Sequence, residues 1–236
     1  MKTAIFIRTY RGDREWLRLA LLTLRRRAVG FCEIVVAMPK GCREHFSDDD
    51  LEGARVVLLE DDTCKGYLSQ QITKVHADLY TDADFILFSD SDALATKPFA
   101  PEEFMAAGRP LQLTRPWKEA SSAKIHKRPV FKALGFTTPF EHMATLPLIY
   151  HRSTLDLTRK LIRKHTRNEA SEYIAKRGEF SEFNVVGAVA HEHQRDLYEW
   201  RNANPAIDGY PRPLRQFWSW GGFTEEVKAE IEGILQ

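Results

Sequence analysis

The 236-residue sequence predicts an α/β protein with a mixed, mostly parallel sheet flanked by helices. Short apolar runs alternate with amphipathic segments over the first ninety residues, which is typical of βαβ units. With 43% hydrophobic residues, the chain can bury one sizeable core. Seven prolines between Pro98 and Pro147 then break the pattern, so the second half should be rich in loops and short helices. We therefore expect one domain, 1–236, with halves 1–100 and 101–236.

The first half contains four predicted strands and two predicted helices. Asp13 can cap the first helix, and a stripe of apolar side chains over Gly66–Tyr80 predicts the second. The fourth strand is almost wholly apolar, so it should lie near the centre of the sheet. The predicted strands are Thr3–Ile7, Cys32–Met38, Arg55–Leu59 and Asp84–Ser89.

The second half contains predicted helices with recognisable starts. Ser181 can cap one of them, and Thr224 can cap the last. The helices predicted before the last one are Ser153–Lys164, Glu169–Lys176 and Ser181–Ala190. No apolar stretch approaches the roughly 18 residues that span a bilayer. Because the first strand begins at Thr3, no room is left for a signal peptide, and we expect a cytoplasmic protein with no membrane span.

Charge is distributed unevenly along the chain, although the net charge is only +1. Between Glu44 and Glu103 there are 15 acidic and 4 basic residues, whereas from Arg115 to Arg177 there are 14 basic and 5 acidic residues. The first stretch therefore suits cations and the second suits anions, unless both are simply solvated surfaces. The three cysteines form no C-x-x-C pair, which argues against a disulfide framework or a cysteine zinc site.

Two carboxylates, Asp90 and Asp92, follow the fourth predicted strand. Ligands bind at the carboxyl ends of strands in open α/β sheets. Alternate side chains of an extended chain face the same side, so both carboxylates can reach one hard cation such as Mg²⁺ or Mn²⁺. Such a cation would neutralise the charge that builds on a departing nucleoside diphosphate. The alternative is that both residues only shape a turn.

Polar side chains on the helix predicted at Gly66–Tyr80 are candidates for the same site. Lys74 lies one stripe away from the core face and can reach a phosphate, with Tyr67 and Gln71 as polar neighbours. Each of the three can equally be an ordinary solvated side chain. These three side chains predict a phosphate-binding surface only when they are considered together with the neighbouring carboxylates Asp90 and Asp92.

Four stretches of the sequence carry a resemblance to a known family. They are GYLSQQITK (66–74), FSDSD (88–92), HMATLP (142–147) and FSEFNVVG (180–187). Together they resemble the GT-A glycosyltransferases, and more narrowly a poorly characterised bacterial and phage family with that Rossmann-like fold, over roughly residues 1–200. The resemblance implies transfer of a sugar from a nucleoside-diphosphate sugar, with a UDP-sugar favoured, to an acceptor hydroxyl. A phage enzyme of this kind would act in the cytoplasm of its host.

The resemblance also implies which residues bind the donor. The nucleoside would lie against the loop after strand one and the Glu60-Asp61-Asp62 end of strand three, and Ser91 lies between the two carboxylates. Both loops follow carboxyl ends of neighbouring strands, although turn chemistry accounts for Thr9 and Asp61 equally well. The donor-binding residues of the first loop are Arg8, Thr9, Tyr10 and Arg11.

Two tryptophans near the C-terminus, Trp218 and Trp220, are predicted to form a flexible lid over the donor. They are flanked by Ser219 and by Gly221-Gly222. Aromatic side chains more commonly belong to a core, so burial is the alternative.

The chemistry would need a third metal ligand and, in an inverting enzyme, a base. GT-A enzymes often take that ligand, usually a histidine, from the second half, and His191 and His193 are the candidates, with His142 behind them. Glu182 at a helix start can serve as the catalytic base, beside Asp92 at the metal. The helix dipole alone also favours an acidic residue at that position. The stereochemistry of transfer is left open.

By the same resemblance, residues 1–100 would bind the nucleotide sugar and residues 101–236 the acceptor. This acceptor half contains the basic stretch, which suggests a polyanionic acceptor. Our hypothesis is a hydroxymethylated pyrimidine in phage DNA, while a saccharide is the general expectation from the fold. The predicted acceptor-binding residues are Lys124, Lys127, Arg128, His142, Phe183 and Asn184.

Two other functions remain open at the level of sequence. A haloacid-dehalogenase-like phosphatase also places Asp-x-Asp after an apolar strand, but there the motif normally opens the fold rather than following three strands. A nucleic-acid-binding module without enzymatic activity would use only the basic stretch and would leave the acidic site without a role.

Overall fold

The computed structural model describes residues 1–61, 64, 66–121, 123–204 and 206–236, without the side chains of Ala123 and Lys124. It is a mixed α/β structure with a mostly parallel central sheet flanked by helices. The strands are β1 (Thr3–Arg8), β2 (Glu33–Pro39), β3 (Arg55–Leu59), β4 (Phe85–Asp90), β5 (Ala93–Ala95), β6 (Met105–Ala106), β7 (Arg109–Pro116), β8 (Phe140–Glu141), β9 (Leu148–His151), β10 (Glu199–Asn202) and β11 (Leu214–Gln216). The α-helices are α1 (Arg14–Arg27), α2 (Gly66–Val75), α3 (Ala123–Leu134), α4 (Arg152–Thr166), α5 (Ala170–Arg177), α6 (Glu182–His193) and α7 (Glu225–Leu235).

The central sheet has the strand order β3-β2-β1-β4-β9. The first four strands are parallel, and β9 pairs antiparallel with β4. From β1 the chain builds β2 and β3 on one side and then returns to place β4 on the other side. The loops after β1 and β4 therefore diverge, and they leave a crevice at the carboxyl end of the sheet. All four predicted strands of the first half are confirmed, and β4 is internal to the sheet as expected.

Hydrophobic side chains from the two faces of the sheet form separate cores. Alternation along β1 sends Phe6 to one face and Ile5 and Ile7 to the other. On the first face Phe6 packs with side chains of α2, α4, α5 and α6, and on the second face the isoleucines pack against α1. Helix α6 lies deepest, because each residue from Glu182 to His191 is buried.

Two smaller sheets complete the fold. Strand β7 pairs with β10, β6 and β8, while β11 pairs antiparallel with β5. In the latter pair Gln216 lies opposite Ala93, so the distant C-terminal segment runs directly beside the end of β4. Among the described helices, none combines the length and apolar composition of a membrane span.

The helices differ from the predictions in two places. Helix α2 ends at Val75 rather than Tyr80, because a 3-10 turn follows in which Asp78 accepts a 2.8 Å hydrogen bond from Arg159. The stretch containing Lys127 and Arg128, for which no helix was predicted, is part of α3, where tertiary packing of the apolar side tolerates Pro129.

Helix capping is also only partly as predicted. Asp13 and Ser181 occupy N-cap positions, but neither side chain makes a capping hydrogen bond. Their side chains bind elsewhere, to Ser91 and Asn184 respectively. Thr224 does cap α7, because its hydroxyl accepts from the Val227 N–H at 3.3 Å.

Candidate active site

A pocket of about 1000 Å³ opens at the carboxyl ends of β1 and β4. Its walls come from the loop after β1, the start of α2, the end of β4, residues 143–146, the first turn of α6 and residues 212–220. This is the crevice at which the strand order of the sheet diverges, where α/β proteins bind ligands. The predicted site residues that line it are Arg8, Tyr10, Tyr67, Lys74, Asp90, Ser91, Asp92, Glu182, Phe183, Trp218 and Trp220.

Lys74 lies at the centre of the charged wall. Its ammonium is buried, 2.8 Å from Asp90 Oδ1 and 3.6 Å from Glu182 Oε1. The same ammonium lies 5.0 Å from the centroid of the Phe183 ring, a favourable cation–π distance. Lys74 was predicted to bind a phosphate, but in this structure its charge is taken up by two carboxylates.

The charge states of this group follow from burial and pairing. Burial alone would lower the pKa of Lys74, but Asp90 and Glu182 outweigh it and raise that pKa above its ordinary value. Burial raises the pKa of Glu182, while the Lys74 ammonium opposes the increase. Lys74 is therefore cationic, and Glu182 is a carboxyl group whose proton affinity is higher than usual.

Asp92 is held by the C-terminal segment. The Ser219 N–H donates to Asp92 Oδ2 at 2.6 Å, and the Gln216 side-chain amide donates to Oδ1. The Asp92 carbonyl accepts from the Phe217 N–H at 2.9 Å. Burial raises the pKa of Asp92, and the neighbouring charges of Asp90 and Asp13 raise it further. The carboxylate is thus fixed in place while its negative charge stays incompletely compensated.

Asp13 belongs to the same acidic group. Its carboxylate lines the pocket and accepts a 2.7 Å hydrogen bond from the Ser91 hydroxyl, which lies between Asp90 and Asp92 in sequence. Burial raises the pKa of Asp13, and Asp90 adds to the increase. Three carboxylates from β4 and the loop after β1 thus share one wall of the pocket.

The donor set suits a hard divalent cation that is shared with a substrate. Carboxylates are the ligands that Mg²⁺ prefers, and Mg²⁺ is commonly held by one or two of them together with substrate phosphates. The raised pKa values of Asp92 and Asp13 indicate negative charge that a cation would relieve. In the described part of the chain, however, no group of three or more His, Cys, Asp or Glu side chains is placed so that it could hold a metal ion.

The predicted third metal ligands lie elsewhere. His191 is nine residues beyond Glu182 on α6, which places it about 13 Å along the helix axis. It contacts Glu192 at 3.0 Å and packs against Trp200, while His193 packs against Phe136. The structure does not bring these histidines to the carboxylates, because α6 directs only its first turn at the pocket.

Four predicted donor-binding residues lie outside the pocket lining. Thr9 is buried, Arg11 is exposed, and Gln71 is one of the buried residues of α2. Asp61 follows β3 at the sheet edge, two strands away from the crevice, and its Oδ1 accepts from the Gly41 N–H at 2.9 Å. Its neighbour Asp62, also predicted near the nucleoside, lies outside the described residues.

Only some of the predicted acceptor-binding residues line the pocket. Phe183 lines the pocket, whereas Lys127 and Arg128 lie on the exposed side of α3 and do not. The side chain of Lys124 lies outside the described part of the structure. The structure therefore does not bring Lys127 and Arg128 into the pocket, and a sequence count of charge does not show which way a helix faces.

His142 and Asn184 support the pocket rather than line it. The His142 N–H donates to Asn184 Oδ1 at 2.8 Å, and the Asn184 amide donates to Ser181 Oγ at 2.9 Å. The His142 ring contacts Thr138 Oγ1 at 2.8 Å, and burial lowers its pKa to about 3. A β-carbon on Gly187 would lie 2.2 Å from His142 Cβ, so only glycine permits this approach. These contacts hold His142, which directly precedes residues 143–146 of the pocket wall, against α6.

Sequence reasoning missed several residues of the pocket. Asp13 had been interpreted as a helix cap, although its position after β1 was itself a signal. Gln216 and Ser219 carried no signal, because their contacts with Asp92 span more than 120 residues. Met143, Thr145 and Leu146 were present in a recognised stretch but had been given no role.

The two tryptophans of the predicted lid are exposed at the pocket mouth. Trp218 is 59% and Trp220 85% exposed, and Trp218 has a left-handed backbone conformation with φ 57°. Their burial in a core is therefore excluded, and their backbone is anchored through Ser219 to Asp92.

Comparison of the sequence with models of protein families and with curated proteins finds no match.

Proposed function

We propose that the chain is a metal-dependent glycosyltransferase of the GT-A type, transferring a sugar from a nucleoside-diphosphate sugar to an acceptor hydroxyl. The observation that carries this proposal is the meeting of Asp90, Asp92 and Glu182 in one pocket at the carboxyl end of the parallel sheet. The strand order β3-β2-β1-β4 supports it, because the same order occurs in nucleotide-binding sheets. The four stretches that resemble this family all contribute to the pocket or support it.

The donor diphosphate would bind at the carboxylates of Asp90 and Asp92, which would hold Mg²⁺ or Mn²⁺. When bound, that cation supplies Lewis-acid stabilisation of the charge on the departing nucleoside diphosphate. Arg8 at the end of β1 and Tyr10 in the loop after it also line the pocket and would orient the nucleotide. Trp220, which is largely exposed at the mouth, would cover the bound donor and exclude water.

Glu182 would accept the proton of the acceptor hydroxyl if the reaction inverts configuration. A general base works best when its pKa lies near the working pH, and burial moves the pKa of Glu182 in that direction. The Lys74 ammonium would keep the carboxylate ionised before the acceptor binds. Lys74 thereby supports the base and also holds Asp90 in position.

The pocket favours a neutral acceptor over a polyanion. Among the described residues four carboxylates line it, and two of them, Asp90 and Glu182, already share the buried cation Lys74. The basic residues that suggested hydroxymethylated DNA, Lys127 and Arg128, do not line the pocket. We therefore expect a saccharide or another uncharged compound with a free hydroxyl.

The proposal is tested by thermal unfolding with a panel of nucleoside-diphosphate sugars, each with and without Mn²⁺. The correct donor should raise the melting temperature of the wild type by linkage, and more so with the cation. Asp92→Asn should lose this increase. Asp61→Asn, which changes the same chemical group outside the pocket, should keep it.

Turnover separates binding from chemistry. Glu182→Gln should keep the donor-dependent increase in melting temperature but lose roughly 10²–10⁴-fold in rate, the range expected for a general base. If no nucleoside-diphosphate sugar raises the melting temperature of the folded wild type at millimolar concentration, the proposal is wrong.

A second candidate is a phosphatase with Asp90 as nucleophile. The contact of 2.8 Å between Lys74 and Asp90 favours it, because an adjacent ammonium would stabilise a phosphorylated carboxylate. Phosphate release from p-nitrophenyl phosphate that is lost in Asp90→Asn, without any effect of nucleoside-diphosphate sugars, would decide for this candidate.

A further inference from the structure

The outward side of helix α3 combines large apolar side chains with cations. Ile125 is 67% and Phe131 56% exposed, and Lys127 and Arg128 are exposed between them. We call these four residues the α3 face. Scattered exposed apolar residues are common, but here two of them flank adjoining basic residues on one helix surface.

The orientation of the helix is fixed by its opposite side. Val130, Ala133 and Leu134 are buried in the core shared with α4 and α6. At 3.6 residues per turn, these three positions lie roughly opposite Arg128, which is central to the α3 face. The exposed apolar side chains are therefore not part of an incomplete core, since the helix already buries a full apolar side.

The charge of the α3 face is not balanced within its helix. The segment Ala123–Leu134 contains no acidic residue. On the neighbouring helix α4, by contrast, Lys160 lies 2.5 Å from Asp156 and Arg163 lies 3.1 Å from Glu169. The α3 face therefore presents a positive surface, whereas the cations of α4 are largely neutralised.

We propose that the α3 face binds the anionic surface of a phospholipid membrane. Ile125 and Phe131 enter the interfacial region, and Lys127 and Arg128 contact the headgroup phosphates. Stable attachment of a peripheral protein takes two weak signals, and this face supplies an apolar one and a basic one. A duplex nucleic acid would need more phosphate contacts than two adjoining cations provide, and it would not bury an isoleucine.

Co-sedimentation with vesicles tests the proposal on the full chain. The wild type should bind vesicles of phosphatidylcholine with 30% phosphatidylserine and should bind pure phosphatidylcholine vesicles much more weakly. Each cation contributes about a fivefold increase in partitioning, so K127E/R128E should lose at least roughly 25-fold. I125D/F131D should lose binding as well, including at salt concentrations that leave some wild type bound.

Two matched controls separate this surface from general charge and hydrophobicity. K160E/R163E changes the net charge by the same amount on α4, and Ile207→Asp makes the same apolar-to-acidic change at a residue that is 81% exposed. Both should bind vesicles like the wild type, and thermal unfolding should show that all four variants are folded.

The proposal is overturned if the wild type does not bind the anionic vesicles, or if the control variants lose binding as strongly as the α3 variants. It is also overturned if a 20-base-pair duplex binds in an α3-dependent way while vesicles do not, since α3 would then be a nucleic-acid surface. None of these outcomes depends on the chemistry in the pocket, so the proposed function can fail or hold independently.

Discussion

The ammonium of Lys74 lies 2.8 Å from the carboxylate of Asp90 and joins helix α2 to the end of β4 inside the pocket wall. Glu182 lies on the other side of the same ammonium, so one buried cation separates two carboxylates. Breaking such a buried group by removing one member leaves charge without a partner. Removing all of its charges together avoids that penalty.

Replacing Lys74 should therefore destabilise the fold more than replacing the whole group. We expect Lys74→Met to lower the free energy of unfolding by about 3–5 kcal/mol, because Asp90 and Glu182 would lose their shared cation. Urea denaturation at pH 7.5 measures the change. The triple variant K74M/D90N/E182Q should recover most of the loss, and a triple variant no more stable than Lys74→Met would contradict the assignment.

The Asp13 carboxylate should destabilise the folded protein when it is ionised. Its pKa is raised by burial and by Asp90, so the folded state binds its proton more tightly than the unfolded chain does. Asp13→Asn should consequently melt at a higher temperature than the wild type at pH 7.5. The advantage should shrink as pH falls toward the ordinary value of 3.8, because the wild-type carboxyl then becomes protonated in the fold.

Asp208 provides the control of opposite sign. Its pKa is lowered, chiefly by hydrogen bonds from Arg212, so its ionised form stabilises the fold. Asp208→Asn should melt at a lower temperature at pH 7.5, and the deficit should persist to about pH 4 before the carboxylate is protonated in the fold. The difference in melting temperature between variant and wild type should thus have opposite signs for the two positions at pH 7.5. If it had the same sign and the same pH dependence at both, the opposite pKa shifts of Asp13 and Asp208 would be contradicted.

His142 should make the fold sensitive to mild acid. Its pKa is lowered from 6.5 to about 3 by burial and by His191, so below pH 6.5 the unfolded chain takes up a proton that the folded chain excludes. By pH 5 this costs about 2 kcal/mol of stability. The stability gap between wild type and His142→Asn should narrow by that amount between pH 7.5 and 5. An unchanged gap over this pH range would show that the fold does not exclude the proton from His142.

Gly187 should tolerate no side chain. A β-carbon there would lie 2.2 Å from Cβ and 2.6 Å from Cγ of His142, and Cβ cannot move without the main chain. Gly187→Ala should cost about 1–3 kcal/mol in chemical denaturation. Gly233→Ala, in helix α7 with no atom within 4 Å of the new methyl, should instead stabilise by about 0.5–1 kcal/mol. A similar effect at both positions would mean that His142 and Gly187 are not in contact.

Much of the parallel sheet and the acidic end of β4 could be predicted from the sequence, because both follow from local pattern. Apolar periodicity located the four strands, and the rule that ligands bind at the carboxyl ends of strands placed Asp90 and Asp92 at the site. Lys74 and Glu182 were correctly associated with the pocket, although their contact was not foreseen. That contact depends on how deeply α2 and α6 pack, which no local pattern contains.

Residues that depend on long-range pairing were not predicted. His191 and His193 share a helix with Glu182, but the length of α6 carries them away from the pocket. Asp61 follows a strand as Asp90 does, yet β3 is at the edge of the sheet. Strand order, rather than strand position in the sequence, decides which loops meet.

The hydrogen bonds from Gln216 and Ser219 to Asp92 can form only late in the synthesis of the chain. These donors follow Asp92 by 124 and 127 residues, so the ribosome adds them long after β4 has emerged. A nascent chain can therefore assemble its parallel strands while Asp92 still faces water without these two donors. The hydrogen bonds that fix this carboxylate therefore form late, when the newly made distal segment pairs with β5.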